Sequence, residues 1–163
     1  LSPLVRPLVV FTPKSLLRAK VATSATSDFT SGTFTSIIKD TTVDPSQVTT
    51  ALLCSGKVYY DLVAERERSG RRDVAIIRLE RLYPLPTILL PEVLGSYPQL
   101  REVRWVQEEP RNQGAGSFML LNLPDVIGRP LTLVSRPASS SPAVGSHHRH
   151  EVEQQALLQQ AFG

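Results

Sequence analysis

Val74, Ala75, Ile76 and Ile77 are apolar in succession. A strand of that kind must be covered on both faces, as in a parallel sheet sandwiched between helices. Thr49 to Cys54 reads the same way, and Ser55-Gly56-Lys57 then forms a tight strand-to-helix turn. Val58, Leu62 and Val63 recur at helical spacing, and Gly70 closes that helix. Tyr83-Pro84-Leu85-Pro86 breaks the chain before a helix over 88–97. A strand through Val103 and Trp105, a helix over 116–121 and a strand over 131–134 follow. Upstream, Pro7 to Phe11 reads as a short buried strand, Thr12-Pro13 as the cap of a basic helix over 14–20, and 21–36 as a surface loop. Ile37-Ile38 reads as a short strand before an Asp44-Pro45 turn. A Ser/Pro-rich link over 135–146 leads to a last helix over 151–162. This alternation predicts an α/β three-layer sandwich with a mainly parallel five-stranded sheet, in one domain spanning 1–163.

Composition narrows the function. The chain has 163 residues and a net charge of +3, with arginines spread along its length. Only Arg66 to Arg72 approaches a basic cluster, and it lacks interleaved aromatics, so a nucleic-acid partner is not expected. Cys54 is the single cysteine, which excludes an internal disulfide and a thiolate metal site. No apolar run reaches the length of a membrane span, and no signal-like segment opens the chain, so neither membrane nor secretion is expected. The chain opens on Leu1 and its one methionine is Met119, which leads us to expect a fragment of a larger polypeptide.

The stretch from Trp105 to Ala115 carries the densest chemistry. A buried strand runs into Gln107 and the carboxylates Glu108 and Glu109, then Pro110, Asn112, Gln113 and Gly114. Pro110 cannot donate to a ladder, so the strand should end there. In open α/β sheets, ligands meet the carboxyl ends of strands. Glu108-Glu109 suits acid/base work or a partner's cations, against the plainer reading of a capped strand end. Ser55-Gly56-Lys57 suits an anion at a helix start, but lacks the second glycine and the hydroxyl of a nucleotide loop. His147-His148-Arg149-His150 has no supporting carboxylate or cysteine and reads as a solvated helix start. Arg136, at a strand end, suits a buried ion pair or a phosphate, and Arg18 and Lys57 are further anion candidates. No nucleophile with a paired base is present, so the residues alone specify a scaffold with ionic contacts.

Five segments in order resemble one family: Arg6 to Arg18, Cys54 to Tyr60, Asp73 to Arg78, Trp105 to Pro110 with Asn112 to Ala115, and Arg136 to Gly145. Together they resemble the carboxyl-terminal domain of the first, decarboxylating component of 2-oxoglutarate dehydrogenase. The ending Val152 to Gln155 and Ala161 to Gly163 is similar to the actinobacterial multifunctional type. The resemblance implies a fold like the transketolase carboxyl-terminal domain, and a structural, dimer-packing role in an oxidoreductase of the tricarboxylic acid cycle. It implies thiamine diphosphate and Mg²⁺ held by residues outside this chain. It also implies a homodimer, contacts with the rest of the same subunit, and a dihydrolipoyl succinyltransferase core as partner. Trp105, Gln107, Glu108, Glu109, Asn112, Gln113 and Arg136 become family hallmarks or interface residues, and this chain alone is expected to be inactive. The location implied is a bacterial cytoplasm, or a mitochondrial matrix in a eukaryote.

The resemblance also implies an acetyl-CoA effector site, whose positions here are Thr33, Ser36, Arg81, Ile88 and Leu89. Only Ser36 retains the family side chain; three cationic positions are neutral, and Arg81 offers one substitute charge. Acetyl-CoA control is therefore expected to be weak. Gly116 stands where the family carries tryptophan, which means either a different packing partner or a drifting copy. The alternatives are an acyl-CoA or phosphate-binding module using Arg18, Lys57 and Arg136, and a non-functional remnant.

Overall fold

The computed structural model describes residues 6–7 and 9–163. They fall into two compact units, Leu1–Thr33 and Phe34–Gly163.

In the first unit the apolar run is not a strand. Val9, Val10 and Phe11 are exposed and belong to no strand, and Leu8 lies outside the described residues. Apolar character specifies a strand only where a ladder and a covering layer exist, and this run has neither. The expected basic helix is reduced to separate 3-10 turns at Lys14–Leu16 and Lys20–Ala22. Thr12 does not cap the first; Pro13 takes that position with no side-chain bond. Within the expected loop, Thr26–Thr30 forms a one-turn helix, α1, where the Asp28 carboxylate accepts the Ala25 N–H at 3.0 Å.

The second unit is built on five strands: β1 Ile37–Ile38, β2 Thr50–Cys54, β3 Val74–Leu79, β4 Glu102–Pro110 and β5 Thr132–Arg136. Their order is β1-β3-β2-β4-β5; only β1 runs antiparallel. Helices cover both faces. Ala51, Leu53, Ala75, Ile77, Val103 and Trp105 face α3 (Leu89–Gly95) and α4 (Gly116–Ile127), meeting Leu90, Leu94, Met119 and Leu123. Leu52, Cys54, Val74, Ile76, Val106 and Val134 face α2 (Val58–Ser69) and α5 (His147–Phe162), meeting Leu62, Leu157 and Phe162. The two-sided apolarity of β2 and β3 is thus used in full, giving the expected three layers.

Two helices differ from expectation at their ends. α4 continues past Leu121 through Pro124 to Gly128, whose positive φ of 65° ends it. Pro124 removes one ladder bond, but Leu123 beyond the expected end is fully buried and Ile127 packs on the same core. Burial of that last turn outweighs the lost bond. α5 starts at His147 rather than Glu151, because the Ser146 side chain accepts from the Arg149 N–H and caps the helix there. Among the described residues no helix is long and apolar enough to cross a membrane.

Candidate functional site at the carboxyl edge of the sheet

β2 and β4 are neighbours, yet the chain leaves β2 for the helix layer of α2 and leaves β4 for the opposite layer of α4. Their carboxyl ends therefore form the topological switch point, the crevice where open α/β sheets take ligands. Here side chains fill it. Lys57, at the start of α2, places its Nζ 3.0 Å from Asp61 Oδ2 and 3.1 Å from Glu108 Oε2. Burial works against its charge, but the Asp61 hydrogen bond and the nearby Glu108 charge outweigh it and hold the Lys57 pKa above the ordinary value. A lysine so engaged has no charge to spare for a phosphate. Ser55-Gly56-Lys57 is a helix entry joined to the end of β4.

The end of β4 departs from its ladder. Val106 pairs with Val134 and Pro110 with Arg136, so Gln107, Glu108 and Glu109 oppose one residue of β5. Such a bulge turns side chains away from the regular pleat. Gln107 turns inward and is buried. Its Oε1 accepts the Trp105 indole N–H at 3.1 Å, and its Nε2 donates to the carbonyls of Gln113 at 2.7 Å and Pro110 at 3.2 Å. One amide therefore ties the strand end to the turn that starts α4. Glu108 turns to Lys57, and Glu109 is exposed.

Two motifs distant in sequence meet in this place. Asn112 and the Ser139 backbone exchange a reciprocal pair of bonds at 2.9 and 3.0 Å, and Gln113 Nε2 donates to the same Ser139 carbonyl at 3.0 Å. The Arg111 N–H donates to the Arg136 carbonyl at 2.9 Å. Arg136 is buried; its Nη2 donates to Gln154 Oε1 at 2.6 Å, and its Nη1 lies 3.7 Å from Glu153. Gln154 in turn donates to Asp61 at 2.9 Å. A continuous polar chain thus runs from Glu108 through Lys57, Asp61 and Gln154 to Arg136, linking β4, α2, α5 and β5. Asp61 gave no sequence signal, and Gln154 entered only within the family-like ending 152–155, because each reads as an ordinary helix residue until α2 and α5 are known to pack together.

Arg18 is exposed in the first unit, which also contains Thr33. Ser36 and Arg81 are joined through backbone, the Arg81 N–H donating to the Ser36 carbonyl at 3.3 Å. Ile88 and Leu89 are exposed at the start of α3. Gly116 leaves no hole. A Cβ there would stand 2.8 Å from Gln107 Oε1 and 3.1 Å from Leu133 Cδ1, so those side chains occupy the space an aromatic ring would need.

The chemistry available is limited. Burial pushes the Cys54 thiol up to about 12, which keeps it protonated and unreactive. Among the described residues no three His, Cys, Asp or Glu side chains converge to hold a metal. These residues do not fit Mg²⁺ or the diphosphate of thiamine diphosphate, and no step through either group is assigned to them.

Comparison with known proteins agrees with the motifs. Residues 23–162 match the family described as 2-oxoglutarate dehydrogenase C-terminal. A multifunctional 2-oxoglutarate metabolism enzyme of Mycobacterium sp. (strain KMS) is 48% identical over 165 residues, covering 96% of this chain and 13% of the relative. A 2-oxoglutarate dehydrogenase E1/E2 component of Corynebacterium glutamicum is 46% identical over 166 residues, covering 99% of this chain and 14% of the relative. The chain spans about one seventh of the length of these relatives. It belongs to the 2-oxoglutarate dehydrogenase C-terminal family.

Proposed function

We propose that this chain is the carboxyl-terminal, dimer-packing domain of an enzyme that oxidatively decarboxylates 2-oxoglutarate and passes the succinyl group to a lipoyl arm. The complete enzyme would be a homodimeric oxidoreductase of the tricarboxylic acid cycle. It would work in the bacterial cytoplasm beside a dihydrolipoyl succinyltransferase core. Thiamine diphosphate and Mg²⁺ supply the decarboxylation chemistry when bound elsewhere in the polypeptide. The role of this domain is to pack and to orient, and by itself it does not turn over substrate.

The observation that carries the packing role is the exposure of large apolar side chains on and just before α3 and α4. Tyr83, Ile88 and Leu121 are 81%, 75% and 79% exposed, and the Tyr83 ring stands edge-on to Phe118 with centroids 6.3 Å apart. Apolar side chains grouped at a surface mark a contact with another protein surface. The carboxyl edge, by contrast, has its charges engaged internally, which favours a framework over a reaction centre.

Sedimentation of the complete enzyme carrying Leu121→Lys and Tyr83→Ser tests the packing role. Dissociation with the domain still folded is the expected result. An intact dimer with unimpaired decarboxylation would reject it. A second comparison replaces Glu108 and Glu109 with Gln. The dimer should weaken more than the chemistry, and collapse of decarboxylation in an intact dimer would give the carboxylates a catalytic role instead. Decarboxylation of 2-oxoglutarate by the purified 163-residue chain would overturn the proposed inactivity.

A further inference from the structure

The first unit, through Thr33, carries apolar side chains that it does not use. Val9, Val10, Phe11, Leu17, Val21 and Phe29 are 64–96% exposed, and none of the unit's described residues is buried. A piece of fewer than about 40 residues rarely builds a core of its own, and large apolar groups left in water mark a contact with another surface. The backbone is equally short of partners. The helical pieces at Lys14–Leu16, Lys20–Ala22 and Thr26–Thr30 are single turns closed by local bonds, and residues 9–12 belong to no helix or strand.

Charge singles out the same unit. Arg6, Lys14, Arg18 and Lys20 are set against one carboxylate, Asp28, a surplus of +3 that equals the net charge of the whole chain. Phe34–Gly163 is therefore neutral, and the basic character of the protein resides in its first 33 residues. The family match begins at residue 23, whereas the Mycobacterium and Corynebacterium relatives align over 96% and 99% of the chain. Residues 6–22 thus lie ahead of the family's domain, in sequence that these longer proteins share.

We infer that the first unit is a docking arm for another region of the same polypeptide, outside these 163 residues. Its apolar side chains seat in an apolar groove there, and Lys14, Arg18 and Lys20 meet carboxylates on the rim of that groove. The relatives are about seven times as long as this chain, so such a surface is tethered at high effective concentration. A basic, apolar segment also suits an anionic membrane, but membranes take such segments as amphipathic helices whose backbone bonds are internal. This one has single turns only, and its open N–H and C=O groups call for a protein surface that supplies partners. The inference rests on the reading of the chain as one domain of a longer enzyme, and is independent of the dimer-packing role.

Hydrogen–deuterium exchange on the complete enzyme and on the 163-residue chain provides the test, with 2-oxoglutarate decarboxylation followed in parallel. Amides of residues 9–21 should exchange about a hundredfold more slowly in the complete enzyme than in the chain alone, while those of β2 and β3 stay alike. Phe11→Asp should abolish most of that protection, yet leave the melting temperature of the 163-residue chain unchanged, since the side chain is 96% exposed there. Phe11→Leu should retain the protection, and Arg18→Glu should cut it by about tenfold. Fast exchange of residues 9–21 in a complete enzyme that decarboxylates normally would overturn the docking arm. Slow exchange in the 163-residue chain would do the same: alone it means self-coverage, at raised concentration a second copy, and with anionic phospholipid vesicles a membrane. Protection in a complete protein that does not decarboxylate 2-oxoglutarate would uphold the arm and overturn only the proposed reaction.

Discussion

At Gln107, one side chain serves the indole of Trp105 and the carbonyls of Pro110 and Gln113, all within a bulge that cannot use ladder bonds. Replacing it with Leu would leave these buried groups without partners, at about 1–3 kcal/mol for each group so stranded. Urea unfolding of Gln107→Leu should therefore show a loss of at least about 2 kcal/mol; a change below 0.5 kcal/mol would mean that solvent replaces the amide. Gly116 is coupled to the same oxygen. Gly116→Ala gains about 1 kcal/mol of helix propensity but forces its methyl against Gln107 Oε1, and the net change should be destabilising. The sequence pointed to this neighbourhood through its paired carboxylates, which are the most conspicuous charges in the stretch. The side chain that organises it is the neutral amide beside them, because a buried amide is recognised by what surrounds it.

The elements were more legible than their ends. β2 and β3 follow from apolar runs that serve both faces, β4 from the apolar positions Val103 and Trp105, and all three strands are where those residues placed them. The extension of α4 through Pro124 was hidden, since proline is a stop signal in local terms and only tertiary burial of Leu123 reverses it. Pro124→Ala restores one N–H in the helix and should stabilise the domain by about 1–3 kcal/mol in thermal unfolding, provided the core does not shift. The last turn of α5 is held in a similarly non-local way. Arg104 Nη1 donates to the carbonyls of Gln160 and Ala161, each at 2.9 Å, and Arg71 Nη1 to that of Phe162 at 2.7 Å. Two cations thus satisfy the carbonyl end of a helix whose last turn has none of its own. Arg104→Ala should cost about 1 kcal/mol and accelerate amide exchange selectively in that turn. Equal acceleration throughout the domain would contradict such a local role.

For the whole molecule, acid stability should depend strongly on Asp40. Burial favours its neutral form, but bonds from Thr42, the Ile76 N–H and Arg66 outweigh that and hold the carboxyl below the usual range. A carboxyl depressed on folding adds stability that is complete above its unfolded pKa, near 3.9, and is lost as pH falls through the folded value. Asp73, paired with Arg71, and Glu102, paired with Arg104, are depressed in the same direction. Asp40→Asn should cost about 3–5 kcal/mol at pH 7 by stranding the buried Arg66, and should flatten the stability profile below pH 4. An unchanged acid limb would remove Asp40 from the account. At the same scale, acetyl-CoA should activate the complete enzyme weakly, because Thr33, Ile88 and Leu89 offer a phosphate no charge. A normal activation curve would show that the cationic contacts are supplied from elsewhere. Few residues in this chain have chemistry that names a substrate, which is why the family was legible only through resemblance.

The sheet ends in β1, two residues long, and in β5, five residues long and followed directly by Pro137. A short margin on one side and a proline-terminated one on the other leave little template for a foreign strand to extend. During synthesis or refolding, when several copies of the domain are crowded together, uncontrolled growth of the sheet into fibrils is therefore disfavoured by its outline, and association is left to the helical layers.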